Sequence, residues 1–173
     1  MPFIIQKYGG SSIGTIEKIK KVANKIIESK KNGNDIVVVV SAMQGETNRL
    51  TELAKSINVD ASGRELDTLL STGEQVTIAL LSLAISELGY KAISLTGAQA
   101  GIITSDIFNK ARIKYINSEK IKKLLRNDNI VVIAGFQGMT EQGEITTLGR
   151  GGSDTSAVAL SVALNADECQ IYS

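Results

Sequence analysis

Residues 146–157 read TTLGRGGSDTSA, and the rest of the chain is organised around them. The stretch begins like the end of a strand, passes through Gly149, Gly151 and Gly152, and predicts a helix whose first turn holds Ser153 and Asp154. Glycine lets a backbone turn sharply and approach a ligand closely, and the N-terminus of a helix suits an anion. Arg150, in the middle of the loop, has a planar fork that matches a carboxylate or a phosphate. The alternative interpretation is a glycine-rich turn with Ser153 as an ordinary N-cap.

The loop does not match the common nucleotide-binding motifs. No stretch provides the Gly-x-x-x-x-Gly-Lys-Ser/Thr pattern of a Walker A loop. A dinucleotide fingerprint needs a glycine three residues after Gly151, and Asp154 occupies that position. The sequence therefore indicates neither a P-loop ATPase nor a nicotinamide enzyme.

Composition bounds the class of protein. The chain has 173 residues, which fits one domain, and 43% of them are apolar. Nineteen basic and eighteen acidic residues give a net charge of +1, which does not favour nucleic acid or a membrane surface as a partner. The single cysteine, Cys169, cannot form an internal disulfide, and the N-terminus lacks the pattern of a signal peptide. The most apolar run, Val76–Leu88, is short for a membrane span, so we expect a cytoplasmic protein.

The chain contains no histidine. This excludes the Ser-His-Asp triad, the Cys-His pair and the usual zinc ligand sets, and we expect no metal site made by side chains. A reaction that needs no protein base is favoured. Phosphoryl transfer to a carboxylate is such a reaction, because the acceptor is already ionised and the protein supplies position and positive charge.

Strand and helix patterns alternate along the chain. The predicted strands are Phe3–Lys7, Ile36–Val40, Lys91–Leu95, Asn129–Ala134 and Cys169–Tyr172, and the predicted helices are about 15–30, 47–57, 65–88, 118–126 and 154–165. Ile102–Ile116 reads as an extended region or a hairpin, and Glu141–Glu144 as a hairpin turn. The second half of helix 65–88 is apolar almost all round, which predicts burial, and Gly73-Glu74 interrupts its start. We expect an α/β fold, a three-layer αβα sandwich with a mainly parallel sheet.

Five predicted strands end in loops of small residues or glycine, after Lys7, Val40, Leu95, Ala134 and Leu148. Ligands of open α/β sheets bind at the carboxyl ends of the strands, so a shared crevice is the simplest explanation. Lys7 stands at such an end, although a strand-end lysine that extends to solvent remains an alternative. Glu74 lies beside an apolar segment, where it either orients a substrate ammonium or is a satisfied core carboxylate.

Together these loops resemble aspartokinases, in that family's order and spacing, from one end of the chain to the other. The motifs that carry the resemblance are 7–12 (KYGGSS), 41–43 (SAM), 70–74 (LSTGE), 135–138 (GFQG) and 147–154 (TLGRGGSD). Tyr8 and Ser11 depart mildly from the family, which more often has phenylalanine and threonine there. The resemblance implies the amino-acid kinase fold and transfer of phosphate from ATP, with Mg²⁺ held mainly by the nucleotide, to the side-chain carboxylate of L-aspartate. The product, 4-phosphoaspartate, leads to lysine, threonine and methionine.

The resemblance also implies roles for individual residues. Lys7 would neutralise the transferring phosphoryl group, with Asp154 close to it. The residues expected to approach the phosphates of ATP are Gly9, Gly10 and Ser11. The residues expected to form the aspartate site are Ser41, Thr47, Glu74, Arg150, Gly151, Gly152 and Ser153. Among them, Glu74 would face the amino group and Arg150 the α-carboxylate.

Length is the main departure from that family, whose members continue with further nucleotide-binding segments and regulatory ACT domains. We expect residues 1–173 to be part of an amino-acid kinase domain, without ACT domains, inactive alone and prone to form homo-oligomers. A kinase for glutamate, acetylglutamate or carbamate is an alternative, and so is a non-catalytic anion-binding or assembly fragment of the same fold.

Overall fold

The computed structural model describes residues 2–173, which form a core of alternating strands and helices. The strands are β1 Phe3–Tyr8, β2 Asp35–Val40, β3 Ala92–Leu95, β4 Ile102–Thr104, β5 Ile113–Ile116, β6 Ile130–Ala134, β7 Gln137–Met139, β8 Ile145–Thr147 and β9 Glu168–Tyr172. The α-helices are α1 Ile16–Lys31, α2 Glu46–Ile57, α3 Arg64–Glu87, α4 Glu119–Arg126 and α5 Gly152–Leu164. A 3-10 helix, Gly10–Ile13, follows β1.

Five strands form the main sheet in the order β3-β6-β2-β1-β9. All four pairings are parallel. The β-branched run of β2 is fully buried from Ile36 to Val40, as expected for a strand covered on both faces. The parallel arrangement brings the carboxyl ends of these strands to one edge of the sheet.

Helices cover both faces of this sheet. On one face, Ile26 of α1 and Leu81 of α3 pack with Val38 of β2. On the other face, Ile121 of α4 and Leu160 of α5 join a second apolar cluster. The predicted three-layer αβα sandwich with a mainly parallel sheet is therefore confirmed.

A second sheet of four strands, in the order β5-β4-β7-β8, was not predicted as a sheet. The predicted hairpin turn at Glu141–Glu144 is present and joins β7 to β8. Its pairings are antiparallel except for β4 with β7. Residues 135–138 were expected to be a loop, but Gln137–Met139 is a strand because Gln137 pairs with Thr147 and Met139 pairs with Ile145. These partners hold a glycine-containing segment that has little strand propensity of its own. The predicted strand end at Leu148 therefore belongs to the second sheet.

Helix α3 corrects two further expectations. It runs through Gly73 without interruption, and a Cβ added there would lie 3.0 Å from the Cβ of Ala42. The close packing that glycine permits compensates for its poor helix propensity. The helix is also not buried all round, since Leu83 is 67% exposed. By length and composition α3 could cross a membrane, but half of its most apolar window is buried in the protein, as is common for a core helix.

Candidate functional site

A cavity of about 410 Å³ opens at the carboxyl ends of β1 and β2, beside α3 and the start of α5. Nine of the predicted site residues line it: Lys7, Gly10, Ser41, Thr47, Glu74, Gly151, Gly152, Ser153 and Asp154. They come from four separate segments of the chain. The predicted crevice is present, and parallel strand ends create it.

Lys7 and Asp154 form an ion pair in this cavity. The ammonium Nζ lies 2.8 Å from Oδ1 of Asp154, and the lysine side chain is nearly buried while the aspartate is half exposed. Lys7 is held by β1, and Asp154 by the first turn of α5. The ammonium thus points into the cavity and is not extended to solvent, which was the alternative for a lysine at a strand end.

The N-terminus of α5 faces the same cavity without a side-chain cap. Gly151, with φ of +69°, is the N-cap residue, and no side chain bonds to the free N–H groups. Ser153 is therefore not the N-cap, because it lies inside the first turn; its Oγ accepts a hydrogen bond from Ser41 Oγ at 3.0 Å. Uncapped N–H groups and the positive end of the helix dipole favour an anion here.

Glu74 lines the cavity from α3 and is 1% exposed. The side-chain amide of Gln137 donates to Glu74 Oε1 at 2.9 Å. Burial raises the pKa of the Glu74 carboxyl from 4.5 to about 8, although the bonds from Gln137 and from backbone N–H groups partly oppose this. No cation among the described residues pairs with Glu74, so an arriving ammonium would stabilise its ionised form.

Three predicted site residues lie outside the cavity lining. Arg150 is exposed, although its neighbours Gly149 and Gly151 line the cavity. Gly9 is close by, since a Cβ added there would lie 3.2 Å from the Nζ of Lys7. Ser11 faces a neighbouring basic pocket with Lys18. The loop after β3 also contributes nothing, because Gly97 packs against the backbone of β7.

Phe136 is a lining residue that sequence reasoning did not select. Its φ of +73° is unusual for a bulky residue. Its N–H donates to Ser156 Oγ at 3.0 Å, and its carbonyl accepts the N–H of Leu148 at 2.8 Å. A Cβ on Gly152 would lie 2.8 Å from the Phe136 ring. The flanking glycines, Gly135 and Gly138, were the only signal of this tight packing in the sequence. Met43, Gln44, Gly45 and Asn48 also line the cavity.

The cavity contains groups that suit ligands of opposite charge. Lys7 and the α5 N-terminus suit an anion, while the buried carboxyl of Glu74 suits an ammonium. Within residues 2–173 no group of three His, Cys, Asp or Glu side chains is placed to hold a metal ion.

Comparison with known proteins agrees with this fold. The family model described as "Amino acid kinase family" matches residues 2–173. The aspartokinase of Bacillus sp. strain MGA3 is 60% identical over 99% of this chain, which spans 42% of that relative. The crystal structure of aspartate kinase from Synechocystis superposes with a TM-score of 0.84 at 53% identity, over 98% of this chain and 28% of that one.

A more distant likeness supports the fold alone. Aspartokinase III of E. coli, crystallised with aspartate and ADP, superposes with a TM-score of 0.85 at 22% identity, over 98% of this chain and 48% of that one. The chain spans less than half the length of these relatives. Because the family model matches nearly every residue and the fold agrees, the chain belongs to the amino acid kinase family.

Proposed function

We propose that the protein is an aspartate kinase, which transfers the γ-phosphoryl group of ATP to the side-chain carboxylate of L-aspartate. The chain then forms part of the catalytic amino-acid kinase domain. The observation that carries the proposal is the cavity itself, in which the buried carboxyl of Glu74 and the Lys7–Asp154 pair face one space. The identity of 60% to an aspartokinase supports the choice of substrate. We further propose a cytoplasmic homo-oligomer that supplies lysine, threonine and methionine synthesis.

Aspartate would bind at the Glu74 end. Its ammonium pairs with the Glu74 carboxylate, which Gln137 orients. Its α-carboxylate meets the fork of Arg150, which requires this exposed side chain to turn toward the cavity. Ser41, Thr47 and the Gly151–Ser153 backbone surround the rest of the molecule.

ATP would place its terminal phosphates at the other end. The Lys7 ammonium neutralises their charge, and Asp154 keeps that ammonium in place. Gly9, Gly10 and Ser11 allow the backbone to approach the phosphates. Mg²⁺ would supply further neutralising charge from the nucleotide phosphates, and Asp154 is the one half-exposed carboxylate of the described residues near them.

The reaction needs no general base. A lone pair of the ionised aspartate carboxylate forms a bond to the γ-phosphorus, while the bond to the bridging oxygen breaks and its electrons leave with ADP. Charge builds on the oxygens of the transferring phosphoryl group, and Lys7 and the α5 N-terminus would stabilise it. The absence of histidine is compatible with such a mechanism.

The direct test measures ADP formation by the full-length protein with aspartate or glutamate, and traps the acyl phosphate with hydroxylamine. We expect aspartate-dependent turnover and a trapped hydroxamate, and preference for glutamate would overturn the assignment. Lys7→Ala should lower kcat far more than it raises KM, because Lys7 acts on the transition state. Lys55→Ala, which removes an exposed lysine of α2 outside the cavity, is the matched control.

A further inference from the structure

Asp67 is a fully buried carboxylate that lies outside the cavity lining. Its Oδ2 accepts the backbone N–H groups of Asn109 at 3.0 Å and Thr147 at 2.9 Å. Its Oδ1 accepts the Asn109 side-chain amide and the Thr147 hydroxyl, both at 2.6 Å. Four donors satisfy a group that would otherwise be costly to bury.

Both partners of Asp67 adjoin the glycine loop of the cavity. Thr147 ends β8 and stands two residues before Gly149. The carbonyl oxygen of Asn109 would lie 3.4 Å from a Cβ on Gly149, and Asn109 itself has φ of +71°. The Asn109 side chain also exchanges hydrogen bonds with the backbone of Gly63, at 2.7 and 3.2 Å. Asp67 therefore joins the start of α3 to both segments that meet at Gly149.

The same helix carries Glu74 into the cavity. Asp67 and Glu74 are seven residues apart on the uninterrupted α3, which places them on one face, about 10 Å apart along the axis. Helix α3 thus carries the Glu74 carboxyl and, through Asp67, also holds the residues that adjoin the start of the Gly149–Ser153 loop.

We propose that Asp67 is a positioning residue, which sets the distance between Glu74 and the Gly149–Ser153 loop and so the size of the amino-acid end of the cavity. The claim that Asp67 holds the loop in position rests only on the hydrogen bonds described above. The claim that this affects aspartate binding rests also on the proposed function.

The variant Asp67→Asn keeps the shape of the side chain and replaces one accepting oxygen by an NH₂ group. The NH₂ group can donate to the Thr147 hydroxyl, but it meets the Asn109 side-chain amide donor to donor, so that amide loses its acceptor. Loss of one such buried hydrogen bond typically weakens the attachment of the loop by about tenfold. We expect KM for aspartate to rise about tenfold, with KM for ATP little changed. Thr147→Val, which removes only the hydroxyl donor, should give a smaller shift of the same kind.

The control is Thr104→Val. It breaks the buried hydroxyl pair between Thr104 and Thr146, at 2.6 Å, in the same sheet. Neither hydroxyl contacts Asp67, so this change should lower stability without altering KM for aspartate. The proposal is overturned if Asp67→Asn raises KM for aspartate and KM for ATP equally and Thr104→Val raises both by the same amount. Asp67 would then have only a structural role.

A second readout does not depend on activity. Arg150 is exposed, so trypsin cleavage after it, compared with cleavage after the exposed Arg126, reports how firmly the loop is held. We expect cleavage after Arg150 to be about tenfold faster in Asp67→Asn and faster in Thr147→Val, but not in Thr104→Val. If the wild type shows no aspartate kinase activity, the proposed function fails and cleavage still decides the role of Asp67. Unchanged cleavage after Arg150 in both variants would overturn it.

Discussion

Arg150 is the one cation within the Gly149–Gly152 loop, yet its side chain is exposed and outside the cavity lining. We expect Arg150→Lys to raise KM for aspartate about tenfold, because lysine keeps the charge but loses the two-point fork. Steady-state kinetics of the full-length protein measure this, with Arg126→Lys as a control on an exposed arginine of α4. An unchanged KM in Arg150→Lys would remove Arg150 from carboxylate recognition.

The raised pKa of Glu74 leads us to expect that aspartate binding depends on pH. Its pKa is about 8 in the free protein, and an ammonium binds its ionised form, so binding must displace a proton below that pH. The apparent Kd for aspartate should fall about tenfold as pH rises from about 7 to about 9. Calorimetric titration with aspartate across this pH range measures how Kd changes with pH.

Glu74→Gln supplies the control, because it keeps the acceptor for Gln137 and removes the titration. Its binding should be weaker and nearly independent of pH. The raised pKa also stabilises the ligand-free fold below about pH 4.5, and this stabilisation is lost as pH rises through about 8. The free energy of unfolding of Glu74→Gln should therefore depend less on pH than that of the wild type. If the Kd of Glu74→Gln for aspartate still changed with pH as in the wild type, another group would be responsible for the titration.

At the scale of elements, the turn after β3 is fixed against β7. A Cβ on Gly97 would lie 2.2 Å from the carbonyl oxygen of Gln137, so Gly97→Ala must push the two segments apart. We expect a loss of about 1–3 kcal/mol in the free energy of unfolding, measured by denaturant titration. Gly14→Ala is the control, since its Cβ first meets the Gln44 side chain at 3.1 Å. Equal losses in the two variants would mean that the contact at Gly97 relaxes freely.

The same elements show how far sequence patterns reach. Local periodicity predicted β2 and α1 to within a residue or two, because one apolar stripe or β-branched run specifies each of them. It did not predict β7, whose pairing is supplied by β4 and β8. In the site, Lys7 was recognisable from its strand-end position. Asp67 was not, because its partners Asn109 and Thr147 are 42 and 80 residues away.

At the scale of the whole molecule, β6 is an inner strand of the main sheet, between β3 and β2, and helices cover both faces of that sheet. Ile133 of β6 is fully buried there. We expect Ile133→Ala to lower the free energy of unfolding by about 2–5 kcal/mol, because it leaves a cavity in the core. Ile57→Ala, at a site that is 91% exposed, should change it by less than about 0.5 kcal/mol. If Ile133→Ala lowered the free energy of unfolding only slightly, the surrounding side chains would have moved in to fill the cavity.

The position of β1 between β2 and β9 has a consequence for folding during synthesis on the ribosome. β1 is made before β9, and the strand that covers its outer edge follows 164 residues later, the separation between the paired residues Ile4 and Glu168. At 5–20 residues per second, that edge waits on the order of 10–30 s for its neighbour. Throughout this interval the nascent chain presents an apolar strand with unpaired backbone groups. Chaperone demand should therefore arise during translation and end only when β9 has left the exit tunnel.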